Sequence, residues 1–209
     1  MSTLYKWLSN GNKPAHGGNG EWGVPKNGKP GKWWKVRGKL VPCHNGLHLC
    51  RESDLLRWVS QDLYEVEHRG ELIEADDKVV AREARLVKHL DGWNLQTTRL
   101  WAADCAERAL ARVGNPDPRS VAAVWVTRAV AYGLADRAAA WSAAWSAAES
   151  AARSAAESTE SAAWSAVWSA AWSAARRWQC ARLLEYARGE VDLGAIEKQT
   201  KKWLKENVK

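Results

Sequence analysis

The chain has 209 residues, of which 46% are hydrophobic and 26% charged, and its formal net charge is +7. This length and balance suit one or two compact domains with a sizeable core and exclude a fully disordered chain. No run of about 18 strongly apolar residues occurs, which argues against a membrane span. The opening MSTLYKWLSNGNKP lacks the apolar stretch and small-residue cleavage site of a secretory leader, so a cytoplasmic protein with reduced cysteines is expected.

The charge is unevenly placed. Residues 1–40 hold eight Lys and Arg against one acid, Glu21, so the excess of the whole chain falls there. The same stretch is rich in Gly, Asn, Pro and Trp. Lys32, Trp33, Trp34, Lys35 and Arg37 interleave cations with indoles, the chemistry that holds phosphates and stacks bases. The plain alternative is a solvated, loop-rich lead-in to a small sheet.

Residues 33–90 read as short strands around one helix. WWKVRGKLVPC, GLHLC, LYEVEHRGEL and KVVAREARLV carry β-branched or aromatic residues with partial period-two alternation. ESDLLRWVS reads as a short helix capped by Ser53, with Leu55, Leu56 and Val59 facing inward. Asp76-Asp77 reads as a turn. Glu65, Glu67, Glu71 and Glu74 read as a solvated strand face.

The pattern turns helical after Asp91-Gly92. LQTTRLWAADCAERALARV has helical spacing, and Gly114-Asn115 suits a C-terminal cap. Asp117 caps the next helix with Pro118 at its first position, where a missing N–H costs nothing. Residues 138–178 repeat a WSAA unit without Pro or Gly, which predicts helix. Four residues advance about 400°, so the Trp row drifts by roughly 40° per unit. A single rod over 138–188 would reach about 75 Å. A hairpin broken near Glu157-Ser158-Thr159-Glu160 is the preferred geometry, pairing Trp141 with Trp172 and Trp145 with Trp168. Trp141, Trp145, Trp164, Trp168 and Trp172 then form either a core or a partner-binding groove. Gly189 closes that helix. The last segment is a basic amphipathic helix with Leu193, Ile196, Thr200, Trp203 and Leu204 on one face.

The expected fold class is α+β: a small N-terminal mixed α/β domain over 1–92, followed by an all-α Ala/Trp-rich helical bundle over 93–209. An apolar helix pair of this kind extends its burial readily across a homo-oligomer interface.

CHNGLHLC is the one local cluster of soft ligands. Cys43, His48 and Cys50 are weak metal candidates, because zinc sites need a second ligand pair that is not evident here. Cys50 beside His48 is a weak candidate for covalent catalysis. No P-loop, GxGxxG or HExxH occurs. No catalytic residue, cofactor or resident metal is assigned.

Val41 to Cys50, Leu63-Tyr64-Glu65-Val66-Glu67, Gly70-Glu71 and Asp77-Lys78-Val79-Val80 together resemble an uncharacterised domain of phage and bacterial proteins. Its signature reads roughly C-x-x-G-[FY]-H-x-C, then YEVE, then D-x-K-V. The resemblance covers about residues 3–92, and Leu47 stands where the signature has an aromatic residue. Arg99 to Arg108 and the Ala-rich helices after it are similar to immunity proteins of bacterial toxin systems. These resemblances imply a bacterial or phage-infected host cell and a non-enzymatic protein that binds and neutralises a toxin or defence factor. The alternative is a nucleotide or single-stranded nucleic-acid binder, or sponge, using Lys32, Trp33, Trp34, Lys35, Arg37 and His48.

Overall fold

The structure is a computed structural model that describes residues 3–9, 11–15, 17–18, 20–112, 115–135 and 163–208, with side chains of the last stretch from residue 173 onward. The chain divides into two compact units. One comprises residues 1–94 and 175–188, and the other residues 95–174 and 189–209.

The first unit is an antiparallel sheet. Its strands are β1 (Leu4–Ser9), β2 (Lys13–Pro14), β3 (Trp34–Lys35), β4 (Leu47–Leu49), β5 (Asp62–Ala75) and β6 (Lys78–His89). The order is β2-β1-β5-β6-β3, and β4 also pairs with β6. β5 and β6 form one long hairpin turned at Asp76-Asp77. Its alternating Val, Leu and Tyr positions supply the inward face. Leu4 to Leu8 of β1 pair with Val66 to Asp62 of β5. Beyond the end of β4, Cys50 and Tyr5 exchange both backbone hydrogen bonds at 2.8 Å. β4 therefore touches β6 at one end of the ladder and β1 at the other, and the sheet curls on itself.

The curl encloses a core of Leu4, Leu8, Trp22, Leu47, Leu49, Tyr64, Val66, Val79, Ala81, Ala84 and Leu86. A 3-10 turn, Glu52–Arg57, buries Leu55, whereas Val59 is exposed. Ser53 does not cap this turn; Arg51 occupies the cap position without a side-chain cap bond.

The helices are α1 (Leu95–Leu110), α2 (Pro118–Ala131), α3 (Ala163–Arg188) and α4 (Leu193–Asn207). Asp117 and Asp192 cap α2 and α4, accepting from Arg119 N and Ala195 N at 2.9 Å. In the second unit, Trp125 of α2 stacks on Trp203 of α4, with ring centroids 5.9 Å apart and planes 11° off parallel. Arg128 is buried against Asp104 at 2.8 Å and Glu107 at 2.7 Å.

The expected architecture is corrected in both halves. The first part is a curled antiparallel sheet rather than a mixed α/β domain, because β5 and β6 are adjacent in sequence and need only a tight turn to pair. The second part is not an all-helical bundle set apart from the sheet, since the last turns of α3 belong to the sheet unit. There the WSAA repeat gives way to Cys180, Leu183, Leu184 and Ala187, an i, i+3, i+4, i+7 stripe whose members are all buried. Gly92 N donates to Ala187 O, and Arg188 donates to the Tyr5 hydroxyl at 2.8 Å. The fold-back at 157–160, with Trp141 and Trp145, lies outside the described residues. Trp164, Trp168 and Trp172 fall on the helical backbone of α3, with side chains outside the described set. Among the described residues, no helix is long and apolar enough to cross a membrane.

Candidate functional site

The curled sheet leaves a cavity of about 400 Å³ against its core. Its walls come from β1, the loop after β2, β3, the 41–46 loop, β4 and the first residue of β6.

Lys6 enters from β1. Strand alternation places it on the same face as Leu4 and Leu8, both of which belong to the core. Its ammonium donates to the His48 carbonyl at 2.9 Å and lies 5.4 Å from the Trp22 ring centroid. Burial holds Lys6 down to about 8. A lysine so placed carries a charge that its surroundings solvate poorly.

Lys78 enters from the start of β6. It donates to Cys43 Sγ at 3.3 Å, pairs with Asp77 at 3.3 Å, and lies 4.5 Å from the Trp58 ring centroid. Burial opposes its charge, but the hydrogen bonds to Cys43 and Asp77 outweigh that and hold it above the ordinary lysine value. Trp58 is itself anchored, donating from Nε1 to Asp77 O at 2.8 Å.

His48 stands between the two cations. Its Nε2 accepts from Cys43 N at 2.9 Å, which puts the proton of the neutral ring on Nδ1. Burial, with Lys6 and Lys78 nearby, lowers its pKa, so it is uncharged at pH 7. Cys50 lines the same cavity, and burial pushes its thiol up to about 12. At neutral pH that favours the thiol over the nucleophilic thiolate.

The aromatic lining is Trp7, Trp22, Trp34 and Trp58, with Trp7 donating from Nε1 to the Leu55 carbonyl at 3.2 Å. Trp22 and Trp34 lie 6.2 Å apart, tilted by 36°. Gly20 lets the loop pass over Trp34: at its φ of +107° a Cβ would sit 3.0 Å from that ring. The 41–46 loop is knitted by Asn45, whose Nδ2 donates to the Arg37 and Lys39 carbonyls at 2.8 Å. No Asp or Glu is among the described residues that line the cavity.

The basic-aromatic stretch is split by the sheet. Trp34 and His48 line the cavity, whereas Trp33, the residue just before β3, does not. Trp33 lies between the guanidinium groups of Arg69 and Arg85, 4.2 and 4.7 Å from its ring. Lys35 pairs with Glu83 at 2.9 Å. Lys32 and Arg37 are exposed and lie outside the cavity lining. Cys43, His48 and Cys50 all reach the cavity, yet no metal-competent group of three or more His, Cys, Asp or Glu exists among the described residues.

Sequence reasoning missed Lys6, Trp7, Trp22, Trp58 and Lys78. One signal was present: Lys6 occupies an inward register of LYKWLS, where a solvated lysine has no reason to sit. Comparison with family models, with curated proteins and with solved structures finds no match to this chain.

Proposed function

We propose that the chain is a non-enzymatic binding protein that captures a nucleotide-sized ligand combining a planar ring with an anionic group. One observation carries the reading. Two lysines and four indoles converge on a cavity of about 400 Å³ with no carboxylate in its described lining. That volume lies in the usual range for small-molecule sites. Indole faces stack any base, and lysine ammonium groups hold phosphate as point charges. Sequestering a signalling nucleotide in the cytoplasm of a bacterial or phage-infected cell is how such a protein would neutralise a defence system. The neutralising role rests on the family resemblances; the ligand class rests on the cavity.

The test is calorimetry and Trp fluorescence against mono-, di- and cyclic nucleotides and short single strands. Saturable binding that weakens with salt and is lost in Lys78→Met supports the reading. Flat titrations across the panel at low salt refute it.

A further inference from the structure

A stacked ligand needs only rings and charge, yet the cavity also holds an amine in an unusual setting. Lys6 is set in the inward face of a strand and hydrogen-bonded to a neutral acceptor, the His48 carbonyl. It makes no ion pair with any described residue, unlike Lys35 and Lys78, which meet Glu83 and Asp77. Its neighbours are Trp22, His48 and Cys50. The ionisable group that favours its charge is the Cys50 thiol, which burial keeps protonated.

We infer that Lys6 is a covalent capture site, forming an imine with an anionic aromatic aldehyde that the cavity admits. The Lys6 amine lone pair attacks the carbonyl carbon and the carbonyl oxygen takes up a proton, giving a carbinolamine. Loss of water then leaves the C=N bond. The two amine hydrogens depart with the carbonyl oxygen, and nothing is oxidised or reduced. The ring would lie against the indoles and the anion would face Lys78. Burial without a counter-ion favours the uncharged amine that this step requires. The capture site rests on the anion-and-ring preference of the binding reading and adds a bond to it.

Pyridoxal 5′-phosphate is the probe, applied to the full chain near pH 7.5 and trapped with borohydride, with peptide mapping by mass. Lys6 is expected to label about tenfold faster or more than Lys201 and Lys202, which are 57% and 77% exposed. Pyridoxal without phosphate should label Lys6 more slowly, and pyridoxine 5′-phosphate, which has no carbonyl, should protect it. Lys6→Arg should lose the adduct while its circular dichroism stays that of the parent. The wild-type labelling ratio decides the matter even if that variant does not fold. Labelling spread evenly over surface lysines, or an unmodified Lys6, overturns the inference. If Lys6 stays unmodified while nucleotides still quench Trp fluorescence, only the imine falls. If Lys6 is trapped while nucleotides do not bind, the imine stands and the nucleotide reading falls.

Discussion

Gly46 is where a single methyl group tests the link between backbone, core and cavity. It precedes β4 with φ +145°, and a Cβ built there would lie 2.1 Å from Val80 Cγ1. Val80 cannot retreat. It is fully buried and sits in register with His48 on one side and Ile73 on the other. Gly46→Ala therefore adds an overpacking cost of about 1–3 kcal/mol to a backbone strain of about 1–3 kcal/mol. The sum is roughly 2–6 kcal/mol. The strain is relieved only by moving β4, which carries His48, so ligand affinity should fall along with stability. Urea unfolding followed by Trp fluorescence gives the stability change, and titration of a bound nucleotide gives the affinity. Val80→Ala in the same background removes the clash but not the strained φ. The double mutant should thus show coupling of about 1 kcal/mol or more. A Gly46→Ala protein within about 1 kcal/mol of the parent, or strict additivity with Val80→Ala, would refute the reasoning.

Trp34→Ala should weaken nucleotide binding by about 5- to 150-fold, the worth of one stacking platform, whereas Trp33→Ala and Lys35→Ala should leave the dissociation constant unchanged. Equal losses at Trp33 and Trp34 in the same titration would contradict their division between two faces. Stability should also depend on pH in the alkaline range. Folded Lys6 releases its proton near 8 while the unfolded chain holds it to the ordinary lysine value, so the unfolded state binds more protons and stability rises above pH 8, at about 1.4 kcal/mol per pH unit at most. Cys50 acts oppositely, keeping its proton to about 12 when folded against an ordinary thiol value near 9, so its contribution falls across that window. Denaturant melts from about pH 7 to 11 should show a steeper rise in Cys50→Ala than in the parent and a steeper fall in Lys6→Met, on a shared background set by Cys180, Tyr5, Tyr64 and Tyr132, which burial also raises. Finally, Arg128→Ala removes the buried guanidinium that pairs with both Asp104 and Glu107 and should cost about 3–5 kcal/mol, read by chemical denaturation. A loss under about 1 kcal/mol would contradict a structural role for this buried ion pair.

Much of the local structure was legible from neighbouring residues. The Asp117-Pro118 start of α2, the Asp76-Asp77 turn and the closure of α3 by Gly189 follow from the backbone preferences of those residues, which act over one turn of chain. The concentration of cations in residues 1–40 was equally plain. What those cations do was not. Trp33, Trp34 and Lys35 read as one basic-aromatic unit, but extended chain turns successive side chains to opposite faces, and only pairing with β6 decides which face meets a cavity.

Lys6, His48 and Lys78 come from three different strands, far apart in the chain, and nothing local to any of them encodes the other two. Their meeting depends on the registers of β1 with β5, β5 with β6 and β4 with β6, each a long-range choice fixed by burial of the inward face. The end of α3 makes the same point. The stripe Cys180, Leu183, Leu184 and Ala187 is visible as an apolar helix face, and a helix face reports that it will be buried without reporting against what. A sequence determines periodicity, caps and charge because these act through adjacent atoms. The company each face keeps is settled by the free energy of the whole packed unit, and here that company made the cavity.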